Sequence, residues 1–229
     1  MPGKNVIKTY IEGSFYHIYN RGVDKNHIFL DEVDYKTFLR SLRIYLSPKE
    51  KIIKELKDEN LIAKVLPLNN FFNKIDLIGF CLMPNHFHLL LRQKDSSSIE
   101  FFMRSLASKY VRYFNQKYRR VGPLFQGIYK AVLIESEEQL LHTSRYIHLN
   151  PIEILKDSFL IDYRWSSYPA YVKNWEVEWL KKDYILSYFT QVKGYGFSSY
   201  QGFVEGYKEK NEEEMLKYKK LIFDEDYPL

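Results

Sequence analysis

The sequence predicts an α+β protein with a ferredoxin-like βαββαβ core, an antiparallel sheet, one extra helix and a mostly helical C-terminal extension. Three observations support this fold class. The segments follow the order strand, helix, strand, strand, helix, strand, helix, which is the split βαβ arrangement. Apolar residues between the strands recur at helical spacing. The hydrophobic fraction of 45% is typical of a globular protein with a core.

The first half of the core begins with an aromatic and β-branched stretch. Residues 14–19 predict a strand, and Asn20-Arg21-Gly22 is a turn signal at its end. Asp31 predicts the N-cap of a helix that runs to about Leu46. Residues 47–74 are rich in lysine and predict a helical insertion between core elements.

The second half of the core contains two adjoining strands and a long helix. Residues 76–83 and 85–92 predict strands that meet at Pro84. Residues 99–117 carry apolar side chains at i, i+3, i+4 and i+7, which indicates a helix with one buried face.

A further strand and the extra helix complete the predicted core. Residues 127–134 predict the strand. Ser136 and Gln139 form a capping-box pattern that opens the helix, and Asn150-Pro151 ends it. In the extension, residues 208–220 are highly charged and predict a solvated helix.

Composition limits the function classes. The chain has 229 residues, a formal charge of +5 and a pI near 8.9, which favours a polyanionic partner. Aromatic residues reach 17%, enough to supply the core and to stack on nucleobases. The single cysteine, Cys81, excludes a disulfide framework and a cysteine-based zinc knuckle. We find neither a signal peptide nor an apolar run of membrane-spanning length, and therefore expect a cytoplasmic protein.

The strand after Pro84 carries the most chemical information. Side chains alternate along a strand, so His86 and His88 share one face while Phe87, Leu89 and Leu91 share the other. Imidazole is a common metal ligand, and two imidazoles leave positions open for a third ligand, water or substrate. The pair therefore predicts a metal site, although the same pattern also occurs in metal-dependent hydrolases that activate water.

The last predicted helix places Tyr146 and Asn150 one turn apart on the same face. The Asn150 carbonyl oxygen can complete the metal site that the histidines begin. Tyr146 would then lie near the metal, where attack on a polarised phosphodiester is feasible. On the residues alone, tyrosines 110, 113 and 129 are rival nucleophiles. His148 points away from Tyr146, and we expect it to form hydrogen bonds and not to bind metal.

Positive charge is concentrated in one stretch of the sequence, which predicts contacts with phosphates. Arg21 and Arg145 are further candidates, the latter because it adjoins Tyr146. The residues of the basic cluster are Arg104, Lys109, Arg112, Lys117, Arg119, Arg120 and Lys130.

Five motifs occur in a characteristic order over residues 13–170. They are YHIYNRG from Tyr16, MPNHFH from Met83, GPLFQG from Gly122, RYIHLNP from Arg145 and WSSY from Trp165. Together they closely resemble the HUH single-tyrosine transposases, and most of all their REP-associated branch.

The resemblance implies a function and a division of the chain. His86, His88 and Asn150 would bind a divalent cation, Mg²⁺ or Mn²⁺. Tyr146 would attack single-stranded DNA that carries a hairpin and form a 5′-phosphotyrosine. Residues 1–170 would be the catalytic domain, and residues 171–229 an accessory region. The protein would act in the prokaryotic cytoplasm at the nucleoid, as a monomer or a homodimer.

Two other functions are compatible with the same residues. A metal-dependent hydrolase would keep its activity when Tyr146 is replaced by phenylalanine. It is disfavoured because a barrel hydrolase needs about 250 residues and a second set of histidines and carboxylates. A non-catalytic hairpin-binding relative would bind DNA tightly without forming a covalent adduct.

Overall fold

A four-stranded antiparallel sheet forms the centre of the molecule, in the order β2-β3-β1-β4. The computed structural model describes residues 10–59, 69–155, 158–190 and 199–206. The strands are β1 (Phe15–Arg21), β2 (Ile75–Met83), β3 (His86–Gln93) and β4 (Lys130–Ile134). This order, with the helices between the strands, confirms the ferredoxin-like core.

One face of the sheet is covered by the two long helices between the strands, α1 (Glu32–Leu46) and α3 (Ser98–Lys117). The Phe87 ring on β3 packs against Phe38 of α1, with 5.3 Å between ring centroids. Phe38 in turn contacts Tyr110 of α3 at 5.1 Å. These aromatic side chains form the main core because each buries a large apolar area.

The other face of the sheet carries the histidine pair and is covered by the extra helix, α4 (Glu137–Leu149). Ser136 caps its first turn, and its hydroxyl accepts from the Gln139 backbone N–H at 3.1 Å. The Gln139 side chain returns to the Glu135 N–H at 2.8 Å, one residue before the position that a capping box uses. The α-helix ends at Leu149, as the Asn150-Pro151 pair predicts, and continues as a 3₁₀ turn over Asn150–Glu153.

Two predicted boundaries differ from the structure. β1 continues through Arg21 because its backbone pairs with His86 on β3. β4 begins at Lys130 and not at residue 127, since Gly127 has a φ of +72° that breaks the extended conformation. Within the predicted insertion, α2 occupies Lys49–Asp58.

Short helices follow the core. They are α5 (Tyr168–Val172), α6 (Asp183–Thr190) and α7 (Tyr200–Glu205). Both α6 and α7 pack against α4. The helix predicted for residues 208–220 lies outside the described residues. No helix in the described part of the chain is long and apolar enough to cross a membrane.

A buried carboxylate joins the start of α1 to the end of α3. Asp34 has no exposed surface, and Lys117 donates to its Oδ1 at 2.8 Å. The hydroxyls of Tyr113 and Tyr118 donate to its two oxygens, each at 2.8 Å. Lys117 also contacts the N-cap residue Asp31 at 2.8 Å. This cluster therefore fixes the two helices of the main core to each other.

We expect Asp34→Asn to lower the free energy of unfolding by about 2–4 kcal/mol at pH 7, because Lys117 loses its buried partner. Burial opposes ionisation of Asp34, but Lys117 and the other donors outweigh it and lower its pKa below 3.8. The stabilisation is therefore present above pH 4 and is lost as the pH falls through the pKa of the folded state. Urea unfolding of both proteins at several pH values tests this.

The exposed Asp58→Asn substitution on α2 is the matched control and should leave the stability unchanged. A difference between wild type and Asp34→Asn that stays constant from pH 7 to pH 3 would contradict the role of the carboxylate.

Candidate active site

The histidine pair lies on β3, on the face that α4 covers. Strand register places Arg21 of β1 opposite His86 and Tyr19 opposite His88. The His88 side chain is 2% exposed, and its ring centroid lies 5.0 Å from that of His86. Burial lowers the pKa of both imidazoles, that of His88 well below 6.5. Both rings are therefore neutral at pH 7, the form in which histidine binds metal.

Asn150 connects the histidine pair to the tyrosine. Its Oδ1 lies 2.9 Å from His86 Nε2, and its Nδ2 donates to the Tyr146 hydroxyl at 2.9 Å. The two residues lie one helical turn apart, so the end of α4 presents both side chains to β3. The structure therefore brings together four of the residues that the sequence singled out, within one chain.

The donor atoms around His86 suit a bound cation. Asn85 Oδ1 lies 2.6 Å from Nδ1, and Asn150 Oδ1 lies 2.9 Å from Nε2. A neutral imidazole has one proton and can donate to only one of these oxygens. The other nitrogen faces an oxygen lone pair, an arrangement that a shared cation stabilises. Adjacent octahedral ligands of an ion such as Mg²⁺ lie about 3 Å apart, which matches the distance between His86 Nε2 and Asn150 Oδ1.

The described residues contain no group of three His, Cys, Asp or Glu side chains that could hold a metal. The third protein ligand would therefore be the Asn150 carboxamide. A set of two imidazoles and one neutral oxygen fits a divalent cation that keeps open positions for phosphate oxygens.

His17 stands behind His88 and was not among the predicted site residues. Its Nε2 lies 2.9 Å from His88 Nδ1, and the two ring planes are inclined by 22° with 5.0 Å between centroids. His17 is fully buried on the same sheet face. A hydrogen bond to the remote nitrogen of a metal-binding histidine fixes its tautomer and ring orientation. His17 is thus placed to hold His88 with Nε2 as the ligating atom.

Tyr146 lies over the histidines, with its ring centroid 5.4 Å from His88 and 6.0 Å from His17. Burial raises the pKa of its phenol well above 10, and the hydrogen bond from Asn150 offsets part of that rise. The phenol is therefore protonated in the free protein and needs activation before it can act as a nucleophile.

The rival tyrosines have their hydroxyls engaged elsewhere. Tyr110 donates to the Ile28 carbonyl at 2.6 Å, and Tyr113 donates to Asp34. The Tyr129 hydroxyl lies 2.7 Å from that of Tyr10.

The predicted DNA-binding residues fall into several groups. Arg21 lies on β1 opposite His86, and Lys130 lies on β4 opposite Tyr19 of β1. Arg21 also donates to Gln126 at 2.6 Å, which ties the loop after α3 to this edge of the site. Arg119 and Arg120 begin that loop.

The remaining basic residues lie away from the histidine pair. Arg104, Lys109 and Arg112 belong to α3, on the opposite side of the sheet. The Lys117 ammonium is engaged by Asp31 and Asp34. Arg145 is 5% exposed, with its guanidinium carbon 4.5 Å from the centre of the Phe203 ring.

Comparison with known proteins agrees with the motifs. Residues 44–150 match the family model described as "Transposase IS200 like". This match confirms the predicted resemblance to the single-tyrosine transposases. No curated protein sequence matches the chain.

Two solved structures are similar at low identity. A REP-associated tyrosine transposase bound to a REP hairpin is 13% identical, with a TM-score of 0.48 over 78% of this chain and 94% of that one. A protein provisionally assigned as a transposase, from Deinococcus radiodurans R1, is 17% identical, with a TM-score of 0.35 over 64% of this chain and 95% of that one. Both TM-scores lie below 0.5, so the family match alone bears on function.

Proposed function

We propose that this protein, whose residues 44–150 match the IS200-like transposase model, cleaves and rejoins single-stranded DNA through a covalent bond to Tyr146. The observation that carries this proposal is the position of Asn150, whose carboxamide contacts His86 with its oxygen and Tyr146 with its nitrogen, each at 2.9 Å. One side chain thus connects a nucleophile to a cation site.

His86, His88 and Asn150 would hold the divalent cation, with Mg²⁺ and Mn²⁺ as the ions that suit an oxygen ligand and open positions. A cation on these ligands would polarise the scissile phosphate and favour ionisation of the neighbouring phenol. The protein's own part is to keep the imidazoles neutral by burial and to hold the Tyr146 hydroxyl beside Asn150.

The proposed step is a transesterification. The Tyr146 oxygen forms a bond to phosphorus, and the bond from phosphorus to the 3′ oxygen breaks. The phenol loses its proton, and the leaving oxygen gains one and becomes a 3′-hydroxyl. The product is a 5′-phosphotyrosine. Attack by another 3′-hydroxyl reverses these changes and joins new DNA ends, so no external energy source is needed.

We propose that the substrate is single-stranded DNA with a hairpin. This proposal rests on the motif resemblance and on the basic side chains near the histidine pair. Arg21 lies on β1, next to the strand of the histidine pair, and Lys130 lies on β4, one strand further away on the same side. Both side chains suit contacts with phosphates. The site residues come from one chain, so a monomer acting at the nucleoid contains all the proposed chemistry.

The test is incubation of the protein with 5′- or 3′-labelled hairpin DNA and Mn²⁺, followed by denaturing electrophoresis. We expect a covalent adduct that carries only the DNA segment 3′ to the cut, and no adduct after removal of metal with EDTA. Labelled DNA that a native gel shows to be bound, but that is never cleaved, would indicate a hairpin-binding protein. Cleavage without an adduct would indicate a hydrolase.

A further inference from the structure

The C-terminal helix α7 contacts the helix that carries Tyr146. Tyr146 and His148 lie two residues apart, so they project about 200° apart around the axis of α4. Tyr146 contacts the histidine pair, whereas His148 contacts Tyr200 of α7 and Ser167. When α4 is rotated about its axis so that Tyr146 faces the site, His148 therefore faces α7.

A buried hydrogen-bond chain joins the two helices. His148 is 1% exposed, so both of its ring nitrogens need hydrogen-bond partners within the protein. The Tyr200 hydroxyl lies 2.6 Å from His148 Nδ1 and donates to Ser144 Oγ at 3.2 Å. The Ser167 hydroxyl lies 2.7 Å from Nε2.

Tyr200 and Ser167 satisfy both ring nitrogens of His148, since a neutral imidazole donates from one nitrogen and accepts at the other. Loss of the Tyr200 hydroxyl would leave Nδ1 buried without a hydrogen-bond partner, which is costly in an apolar surrounding.

Aromatic contacts hold α7 in place. The Tyr200 ring packs against Tyr171 and Phe189, with 4.8 Å and 5.4 Å between centroids. Phe203, one turn further on, packs under the guanidinium of Arg145. Both Tyr200 and Phe203 are buried. The helices α6 and α7 therefore both pack against α4, with Tyr200 and Phe203 on the side of α4 away from the site.

We propose that Tyr200 is a positioning residue for the nucleophile, acting through His148 and Ser144 to fix the rotation of α4 and so the place of the Tyr146 hydroxyl. The proposal rests on the proposed function, because it assigns Tyr146 as the nucleophile. It gives the C-terminal region a role in the reaction without any contact with DNA or metal.

The test compares Tyr200→Phe with Tyr110→Phe in the full-length chain. Each substitution removes one buried hydroxyl and keeps the ring, but Tyr110 donates to Ile28 on the opposite side of the sheet. We expect Tyr200→Phe to slow adduct formation in a single turnover by about tenfold, because small misplacements of reacting groups are costly. Hairpin affinity should not change. Hydrogen exchange of the α4 amides should be about tenfold faster or more, while β3 is unaffected.

Tyr110→Phe should change neither the adduct rate nor exchange in α4. Equal exchange in α4 for the two variants, or a Tyr200→Phe adduct rate equal to that of wild type, would overturn the proposal. If wild type forms no adduct, the proposed function fails, and the exchange experiment still decides whether Tyr200 fixes α4.

Discussion

Replacement of Tyr146 by phenylalanine should abolish the covalent adduct. The substitution removes one oxygen and keeps the ring that packs against His88 and His17. Asn150 keeps its contact with His86, so the cation site should remain. We expect the rate of adduct formation to fall by at least about 10³-fold, the scale of losing a catalytic nucleophile. Denaturing gels with labelled hairpin DNA and Mn²⁺ provide the measurement.

Tyr129→Phe is the matched control, since Tyr129 is a rival nucleophile whose hydroxyl lies beside that of Tyr10. Its adduct rate should equal that of wild type. Hairpin affinity, measured in a binding assay with EDTA present, should be unchanged in both variants. An adduct that survives in Tyr146→Phe and disappears in Tyr129→Phe would identify Tyr129, which directly precedes β4, as the nucleophile.

Local periodicity accounts for the parts of the site that the sequence predicted. Alternation along β3 puts His86 and His88 on one face whatever the strand pairs with. Helical spacing puts Tyr146 and Asn150 together whatever the helix packs on. The apolar stripe of 99–117 likewise located α3. Each of these relations lies within a single element and needs no knowledge of the tertiary structure.

Relations between elements explain what was missed. His17 supports His88 only because β1 pairs with β3 in the register that places Tyr19 opposite His88, and strand alternation then directs His17 to the same face. The packing of Arg145 against Phe203 could not be predicted, because Phe203 lies 58 residues later in the chain. For the same reason the contact of Lys117 with Asp31 and Asp34 could not be derived from a run of basic residues.

Removal of one of the two imidazoles that we propose as ligands should weaken metal binding strongly. We expect His88→Ala to weaken Mn²⁺ affinity by about 100-fold or more, because the proposed set of three protein ligands loses one member. The adduct should then be undetectable at Mn²⁺ concentrations that saturate wild type. Titration followed by the EPR signal of unbound Mn²⁺ measures the affinity without DNA and without any reaction.

Two further variants test whether the loss of Mn²⁺ affinity is specific to a ligand. His27→Ala removes an exposed histidine outside the site and should bind Mn²⁺ like wild type. His17→Gln should lie between wild type and His88→Ala, with an affinity about tenfold lower, because a residue behind a ligand fixes its orientation and does not itself bind the ion. Equal affinity in His88→Ala and wild type would place the cation elsewhere. A loss in His17→Gln as large as that in His88→Ala would mean that His17 itself is a ligand.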